Sequence, residues 1–119
     1  MFKEIIEKYQ LAPNSYELLE DNYLTAAELQ LNLIEKWQDC VGEGWYGFDI
    51  PNAPISWYFA LDDCLQIILD KCPQMKILQI KLKFGGLRMY IDTSMANDFG
   101  IQQAITELED ACYDDILVY

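Results

Sequence analysis

Apolar and polar residues alternate most regularly in one segment of the chain, KILQIKLKFGGLRMYID, from Lys76 to Asp92. Two strand-like runs flank Gly85-Gly86, and a two-residue turn with positive φ at its centre favours glycine. The pattern therefore predicts a β-hairpin that turns at Gly85-Gly86. The predicted cross-strand pairs are Phe84–Leu87, Leu82–Met89 and Ile80–Ile91 on an apolar side, and Lys83–Arg88, Lys81–Tyr90 and Gln79–Asp92 on the other.

Apolar residues at helical spacing predict helices on both sides of this hairpin. They cover residues 2–10, one or two turns over Tyr16 to Glu20, about Ala26 to Cys40, roughly 57–71, and a final segment through about Tyr113. Thr25 and Glu28 form a T-x-x-E capping box for the third of these helices, with Leu24 and Leu29 at the positions of a hydrophobic staple. Gly42 is predicted to end that helix, and Ser56 to cap the next one.

The same spacing predicts which helical residues are buried. The expected buried residues are Leu29, Leu33, Ile34, Trp37 and Val41, then Trp57, Leu61, Cys64, Leu65 and Ile68, and finally Ile101, Ala104, Ile105, Leu108 and Cys112. Adjacent Asp62 and Asp63 point in different directions on a helix and are predicted to be solvated. The fold class is α+β: a hairpin or small antiparallel sheet at about 76–92, possibly with a strand at 116–119, packed against four or so helices in a single domain, 1–119.

The segment GEGWYGFDIPNAPISW, residues 42–57, differs from the regular parts of the chain. Glycine and proline interrupt it, and four aromatic residues lie within it. Loops carry function more often than helices do, and aromatic side chains dominate binding interfaces. Two interpretations stay open: the aromatic residues fold back over the core, or some of them form a patch that faces a partner.

The charge of the chain is strongly acidic and unevenly distributed. Twenty acidic residues against eight basic ones give a net charge of −12 in 119 residues. Lys76 to Asp92 carries four bases and one acid, a net +3, which leaves −15 on the other 102 residues. Such a field repels nucleic acid and anionic membranes and speeds association with basic partners. A basic protein partner is therefore expected, with no direct contact to nucleic acid or membrane.

The residues that build metal and nucleophilic sites are scarce. The four cysteines form no C-x-x-C pair and there is no histidine, so neither a metal nor another cofactor is expected. The cysteines are predicted to be reduced and mostly buried. The apolar runs are too short to cross a membrane, and the first residues lack the basic-then-apolar order of a secretion signal. A cytoplasmic location is expected.

Two motifs together resemble a family of uncharacterised bacterial and phage proteins. The motifs are Gly44-Trp45-Tyr46 and the stretch KFGGLR, which ends at Arg88, and the resemblance covers about residues 42–112. It implies a shared unit of helix, hairpin and helix, and no established activity. Members often finish with a C-x-x-C-G ending, whereas here Cys112 is followed by Tyr-Asp-Asp, so the resemblance gives no reason to expect zinc.

These observations predict a small binding protein that neutralises a basic partner, most concretely an immunity protein against a toxin such as a nuclease. A phage-type DNA mimic that inhibits a host nuclease or CRISPR effector is an alternative within the same class. An enzyme that uses Arg88 and carboxylates near the Gly-Trp-Tyr loop is an alternative of another class. The residues expected to bind the partner are Asp110, Tyr113, Asp114, Asp115, Trp45, Tyr46 and Asp49.

Overall fold

The computed structural model describes residues 1–13, 23–96 and 100–113, except for the side chain of Tyr23. Helix α1 spans Lys3–Lys8, and α2 spans Tyr23–Trp37 and continues as a 3-10 turn over Gln38–Cys40. The remaining elements are β1 (Gly47–Asp49), α3 (Ile55–Lys71), β2 (Lys76–Lys83), β3 (Gly86–Asp92) and α4 (Gly100–Ala111). The α+β class is confirmed. The predicted turn over Tyr16 to Glu20 and the strand at 116–119 lie outside the described residues.

Within the described residues the sheet has three strands in the order β1-β2-β3, and it is mixed, not purely antiparallel as expected. β2 and β3 form the predicted antiparallel hairpin, while β1 pairs with β2 in parallel. Helix α3 makes the crossover that a parallel pair requires. β1 escaped prediction because it is three residues long and lies in a segment rich in glycine and proline.

The hairpin turns one residue earlier than predicted. Phe84 and Gly85 both have positive φ, at +54° and +79°, as the two central residues of a type I′ turn require. Lys83 therefore pairs with Gly86, Leu82 with Leu87 and Ile80 with Met89. The apolar side is as expected, apart from Phe84, which is 74% exposed at the turn. A bulge at Leu78 then shifts the register by one residue, so that Ile77 and not Ile80 pairs with Ile91.

The packing of α4 explains this register. Gly86 bridges to Tyr113, and a Cβ on Gly86 would lie 3.2 Å from the Arg88 guanidinium and 3.6 Å from the Tyr113 ring. The Leu87 amide also donates a 2.9 Å hydrogen bond to the Cys112 carbonyl. Glycine at position 86 therefore belongs to the strand, where it pairs with Lys83 and bridges to the chain that follows α4, and the turn falls on the preceding two residues.

Replacing Phe84 by asparagine is expected to raise the free energy of unfolding by about 1 kcal/mol. Asparagine tolerates the left-handed region at lower cost than phenylalanine, and the exposed ring of Phe84 contributes little burial. Urea unfolding followed by circular dichroism measures the change. Gly85→Ala is the control, and it should destabilise the protein because its φ is also positive. A loss of stability in Phe84→Asn would favour the register predicted from the sequence.

Helix α3 lies at the centre of the core, and its predicted stripe is confirmed. Its buried residues include Trp57, Leu61, Cys64, Leu65 and Ile68. The apolar stripe of α4 is also buried as predicted. The predicted helix starts were wrong. Thr25 lies inside α2 and Ser56 inside α3, which begins after Pro54 without a side-chain cap. Gly42 does not terminate α2; its amide donates to the Ile77 carbonyl and so joins the sheet.

The outer edge of β3 is closed by α4. The Met89 amide donates a 2.8 Å hydrogen bond to Glu109 Oε2, and the Gln102 side-chain amide donates a 3.2 Å hydrogen bond to the Ile91 carbonyl. Together with the bond from Leu87 to Cys112, these contacts satisfy backbone groups that an edge strand would otherwise expose. One acid of the α4 terminus, Glu109, therefore has a structural role.

Candidate functional site

The residues expected to bind a partner fall into two separated sets. Trp45, Tyr46 and Asp49 lie on β1 and the loop before it, whereas Asp110 and Tyr113 lie at the end of α4, beyond the opposite edge of the sheet. β2 and β3 run between the sets. Asp114 and Asp115 lie outside the described residues. The structure therefore does not gather Trp45, Tyr46, Asp49, Asp110 and Tyr113, the five of these residues that it describes, into one site.

The loop before β1 projects because the edge of the sheet is interrupted there. Val41 pairs with Ile77, and Gly47 pairs with Gln79, so six residues of this segment advance the pairing by only two positions. The surplus residues turn outward through a bond from the Trp45 amide to the Gly42 carbonyl. Trp45 is 51% exposed and Tyr46 is 79% exposed. The other two aromatic residues of this segment, Phe48 and Trp57, are buried, so the first interpretation holds for these two and the partner-facing patch stays a prediction for Trp45 and Tyr46.

The end of α4 offers less free surface than the sequence suggested. Tyr113 is half-buried and bridges to Gly86, and Glu109 is bonded to the β3 backbone. Asp110 is exposed. Of the expected residues in this set that the structure describes, Asp110 alone is freely presented to solvent.

Helix α2 carries a second apolar stripe that sequence reasoning missed. Leu24, Leu31 and Ile34 are 66%, 58% and 37% exposed, although Leu24 was expected in a staple and Ile34 in the core. With the exposed residues Ala27 and Gln38, they follow alternating spacings of three and four. Residues spaced in this way share one side of a helix. The alternation of three and four along α2 could have revealed this stripe.

A surface groove of about 290 Å³ connects this stripe to β1. Its lining residues are Ile34, Gln38, Val41, Tyr46, Gly47 and Phe48. A 2.6 Å hydrogen bond from the Ile50 amide to Gln30 Oε1 fixes the helix beside the strand. We use the name α2–β1 face for the exposed apolar residues Leu24, Leu31, Ile34 and Tyr46 together with the acidic residues Glu28, Glu35 and Asp39.

The acids of the α2–β1 face have no cation beside them. Glu28, Glu35 and Asp39 are exposed, and no basic group of the described residues lies within 4.0 Å of them. The lysine of the same helix, Lys36, instead forms a 2.9 Å ion pair with Asp62 on α3. Among the residues that the structure describes, the carboxylates of this face therefore form no ion pair.

Asp62 and Asp63 connect helices, and the prediction that they are merely solvated was wrong. Asp62 Oδ1 accepts a 2.9 Å hydrogen bond from the Trp37 indole, which joins α3 to α2. Asp63 Oδ2 accepts hydrogen bonds from the Tyr9 hydroxyl at 2.7 Å and from Lys8 at 3.3 Å, which join α3 to α1. Burial, and then the hydrogen bond to Asp63, raise the pKa of Tyr9 above its ordinary value.

Positive charge is concentrated on the solvent-facing side of the sheet. Lys81 lies directly opposite Arg88, and its ammonium is 5.7 Å from the centre of the Tyr90 ring. Lys83 Nζ is 5.6 Å from the centre of the Phe84 ring. No carboxylate of the described residues lies within 4.0 Å of these three cations. The basic sheet side and the acidic helical side are therefore distinct surfaces.

The described residues include no group of three or more histidine, cysteine or acidic side chains that could hold a metal ion. Cys64, Cys72 and Cys112 are buried, and Cys40 is partly exposed. Burial raises the pKa of Cys64 to about 12 and also raises that of Cys112, so both thiols stay protonated at neutral pH. Arg88 donates a hydrogen bond to the Leu87 carbonyl on the open side of the sheet.

No helix in residues 1–13, 23–96 and 100–113 has the length and apolar character needed to cross a membrane.

Comparison with protein-family models, with curated proteins and with solved structures finds no match to this chain. The resemblance carried by the Gly-Trp-Tyr and KFGGLR motifs therefore stays a prediction.

Proposed function

We propose that this protein binds and neutralises a basic protein partner, and that the α2–β1 face is the surface that holds it. The observation that carries the proposal is the exposed apolar stripe of α2 beside carboxylates that have no cation in the described fold. An apolar patch rimmed by polar residues is typical of protein interaction sites. The most concrete form of this function is an immunity protein that occupies the cationic cleft of a toxin, such as a nuclease.

The two components of this face have different physical roles in the proposed complex. Burying the part of Leu24, Leu31 and Ile34 that is still exposed would contribute about 0.5–2 kcal/mol for each residue before the costs of association. The carboxylates accelerate encounter with a cationic surface and discriminate against acidic competitors. Tyr46 belongs to this face, and Trp45 comes directly before it in the loop. Asp49 is paired with Lys81 and lies with it on the solvent-facing side of the sheet, apart from this face. Asp110 becomes a second, separate candidate.

Capture from a lysate of the source organism, with three variants of equal charge change, tests this proposal. Glu28→Gln/Glu35→Gln/Asp39→Asn alters the α2–β1 face, and Glu4→Gln/Glu7→Gln/Asp70→Asn alters exposed acids elsewhere. The third variant, Asp110→Asn/Asp114→Asn/Asp115→Asn, alters the α4 end. We expect the wild-type protein to retain a basic protein in low salt and release it in high salt, because salt screens exposed charges. The first variant alone should lose it.

A purified complex completes the test. The captured protein should rebind when both components are pure, and its toxic or nuclease activity should fall in proportion to complex formed. Equal loss of binding in the first two variants would show that net charge alone is responsible and would contradict the proposal. Loss in the α4 variant alone would move the site to that end of the molecule. A complex insensitive to salt would also count against it. Displacement of the partner by duplex DNA would indicate binding at a nucleic-acid cleft, and the identity of the captured protein, a toxin or a host defence nuclease, would then separate the immunity form from the DNA-mimic form.

A further inference from the structure

The exposed apolar residues of α2 follow the spacing that one helix presents to another. Leu24, Leu31 and Gln38 are seven residues apart, and Ala27 and Ile34 occupy the intermediate positions. This is the a and d pattern of two packed helices. The stripe runs along most of α2, whose 15 residues extend about 22 Å. A partner helix of about four turns would cover it.

The core does not use this stripe. Ala26, Leu33 and Trp37 of the same helix are buried against the rest of the protein. α2 is therefore apolar on two sides, and one of them faces solvent. A solvent-facing helix surface needs no leucines at heptad spacing for its own stability.

The acids beside the stripe decide what kind of helix fits it. Glu28 and Glu35 are seven residues apart and occupy the flanking position e of the pattern, where charges select the partner. A second copy of this chain would bring another net charge of −12 and, in antiparallel packing, would set the same glutamates against each other. An anionic lipid surface would be repelled in the same way. A helix with lysine or arginine along its flank complements both the shape and the charge.

We infer that the α2–β1 face binds an amphipathic α-helix of the partner, with apolar residues at heptad spacing and basic residues along its edges. This inference rests on the proposed function and specifies the partner's chemistry. The groove between Ile34 and Tyr46 lies at the C-terminal end of the stripe and receives a large apolar side chain from that helix. Leu31, near the middle of the stripe, makes the central contact.

Three synthetic peptides of eighteen residues test the inference. The first has leucine at positions a and d and lysine at e and g, the second is a scrambled sequence of the same composition, and the third carries glutamate in place of lysine. Fluorescence anisotropy of labelled peptides measures binding. Circular dichroism measures helix formation. We expect the first peptide to bind at least about tenfold more tightly than the other two and to become helical on binding.

Variants of this protein separate helix docking from simple charge attraction. Leu31→Asp should weaken binding of the first peptide by about tenfold or more, although it adds an acid that attracts lysine. Met95→Asp adds the same charge at another exposed apolar position and should leave binding within about twofold. Sedimentation of the free wild-type protein at increasing concentration should show no dimer that the Leu31→Asp substitution dissociates.

Equal binding of the scrambled peptide, or unchanged binding by Leu31→Asp, would overturn the inference. A dimer dissolved by Leu31→Asp would also overturn it, because a second copy would then cover the stripe. These results are separable from the proposed function. If a basic protein is still captured and lost in the Glu28/Glu35/Asp39 variant, the proposed function stands without the helix. If the peptide binds as expected but no basic protein is captured, the proposed function fails.

Discussion

Replacing Tyr58 by phenylalanine is expected to lower the free energy of unfolding by about 2–4 kcal/mol, although only one oxygen atom is removed. The Tyr58 hydroxyl donates to the Ile50 carbonyl and accepts a 3.1 Å hydrogen bond from the Ala53 amide. Ile50, Ala53 and Tyr58 are all buried, so neither backbone group would find water after the change. The loss is a large fraction of the stability of a typical domain. Urea unfolding followed by tryptophan fluorescence measures it.

Tyr46→Phe is the matched control, because it makes the same chemical change on an exposed ring and should alter stability by less than about 0.5 kcal/mol. Burial also raises the pKa of Tyr58 above its ordinary value of 10.0. The stability linked to its proton is present below pH 10.0 and is lost as the pH rises through the higher folded-state pKa. The free energy of unfolding of Tyr58→Phe should therefore fall less steeply than that of the wild type as the pH rises above 10.0. Equal effects of the two substitutions would mean that the hydrogen bonds of the Tyr58 hydroxyl to Ile50 and Ala53 do not stabilise the fold.

Replacing Ile80 by alanine is expected to lower the free energy of unfolding by about 2–5 kcal/mol, because it leaves a cavity at the middle of the sheet. This loss is at least as large as the one expected for Tyr58→Phe. Ile80 is fully buried and lies on the central strand, paired with Phe48 of β1 on one side and Met89 of β3 on the other. The three side chains share the face that packs against the helices. Thermal and urea unfolding give the loss. The transition should stay cooperative, because the rest of the core remains.

The neighbouring substitution Lys81→Ala is the control for this prediction. Lys81 is on the opposite, solvent-facing side of the same strand, and its charge lies directly across from Arg88. Like charges in that arrangement repel, so the variant should be neutral or slightly stabilising, by less than about 1 kcal/mol. A greater loss in Lys81→Ala than in Ile80→Ala would require the two faces of the sheet to be exchanged.

Charge separation links this architecture to the proposed function. The hairpin gathers Lys81, Lys83 and Arg88 on the sheet side, while the exposed acids of α2 lie on the helical side. A cationic partner that approaches α2 therefore meets negative charge away from the basic residues of the hairpin. Lys36 of α2 is engaged by Asp62 and so adds little repulsion. The proposed helix-binding stripe lies beside these acids on α2 and supplies apolar contact area, which charged residues alone do not provide.

The most successful sequence predictions were those of which side of a helix or strand is buried. The buried stripes of α3 and α4 follow directly from residues such as Leu61, Leu65, Ile105 and Leu108, which the structure buries. The alternation in β2 and β3 likewise gives the correct inward residues. Helix starts were less predictable. Thr25 and Glu28 match the sequence pattern of a capping box, yet α2 begins earlier, at Tyr23.

The sequence by itself determined the α+β class, the two long strands, the central buried helix and the excess of negative charge. The tertiary structure alone decided the hairpin register, in which Gly86 pairs with Lys83 and bridges to Tyr113 in the chain after α4. It also decided that Asp62 joins two helices. Periodicity states which residues share a face but not what that face contacts. Because α2 has apolar residues on two sides, only the packed fold shows that Ile34, which was expected in the core, is exposed while Leu33 beside it is buried.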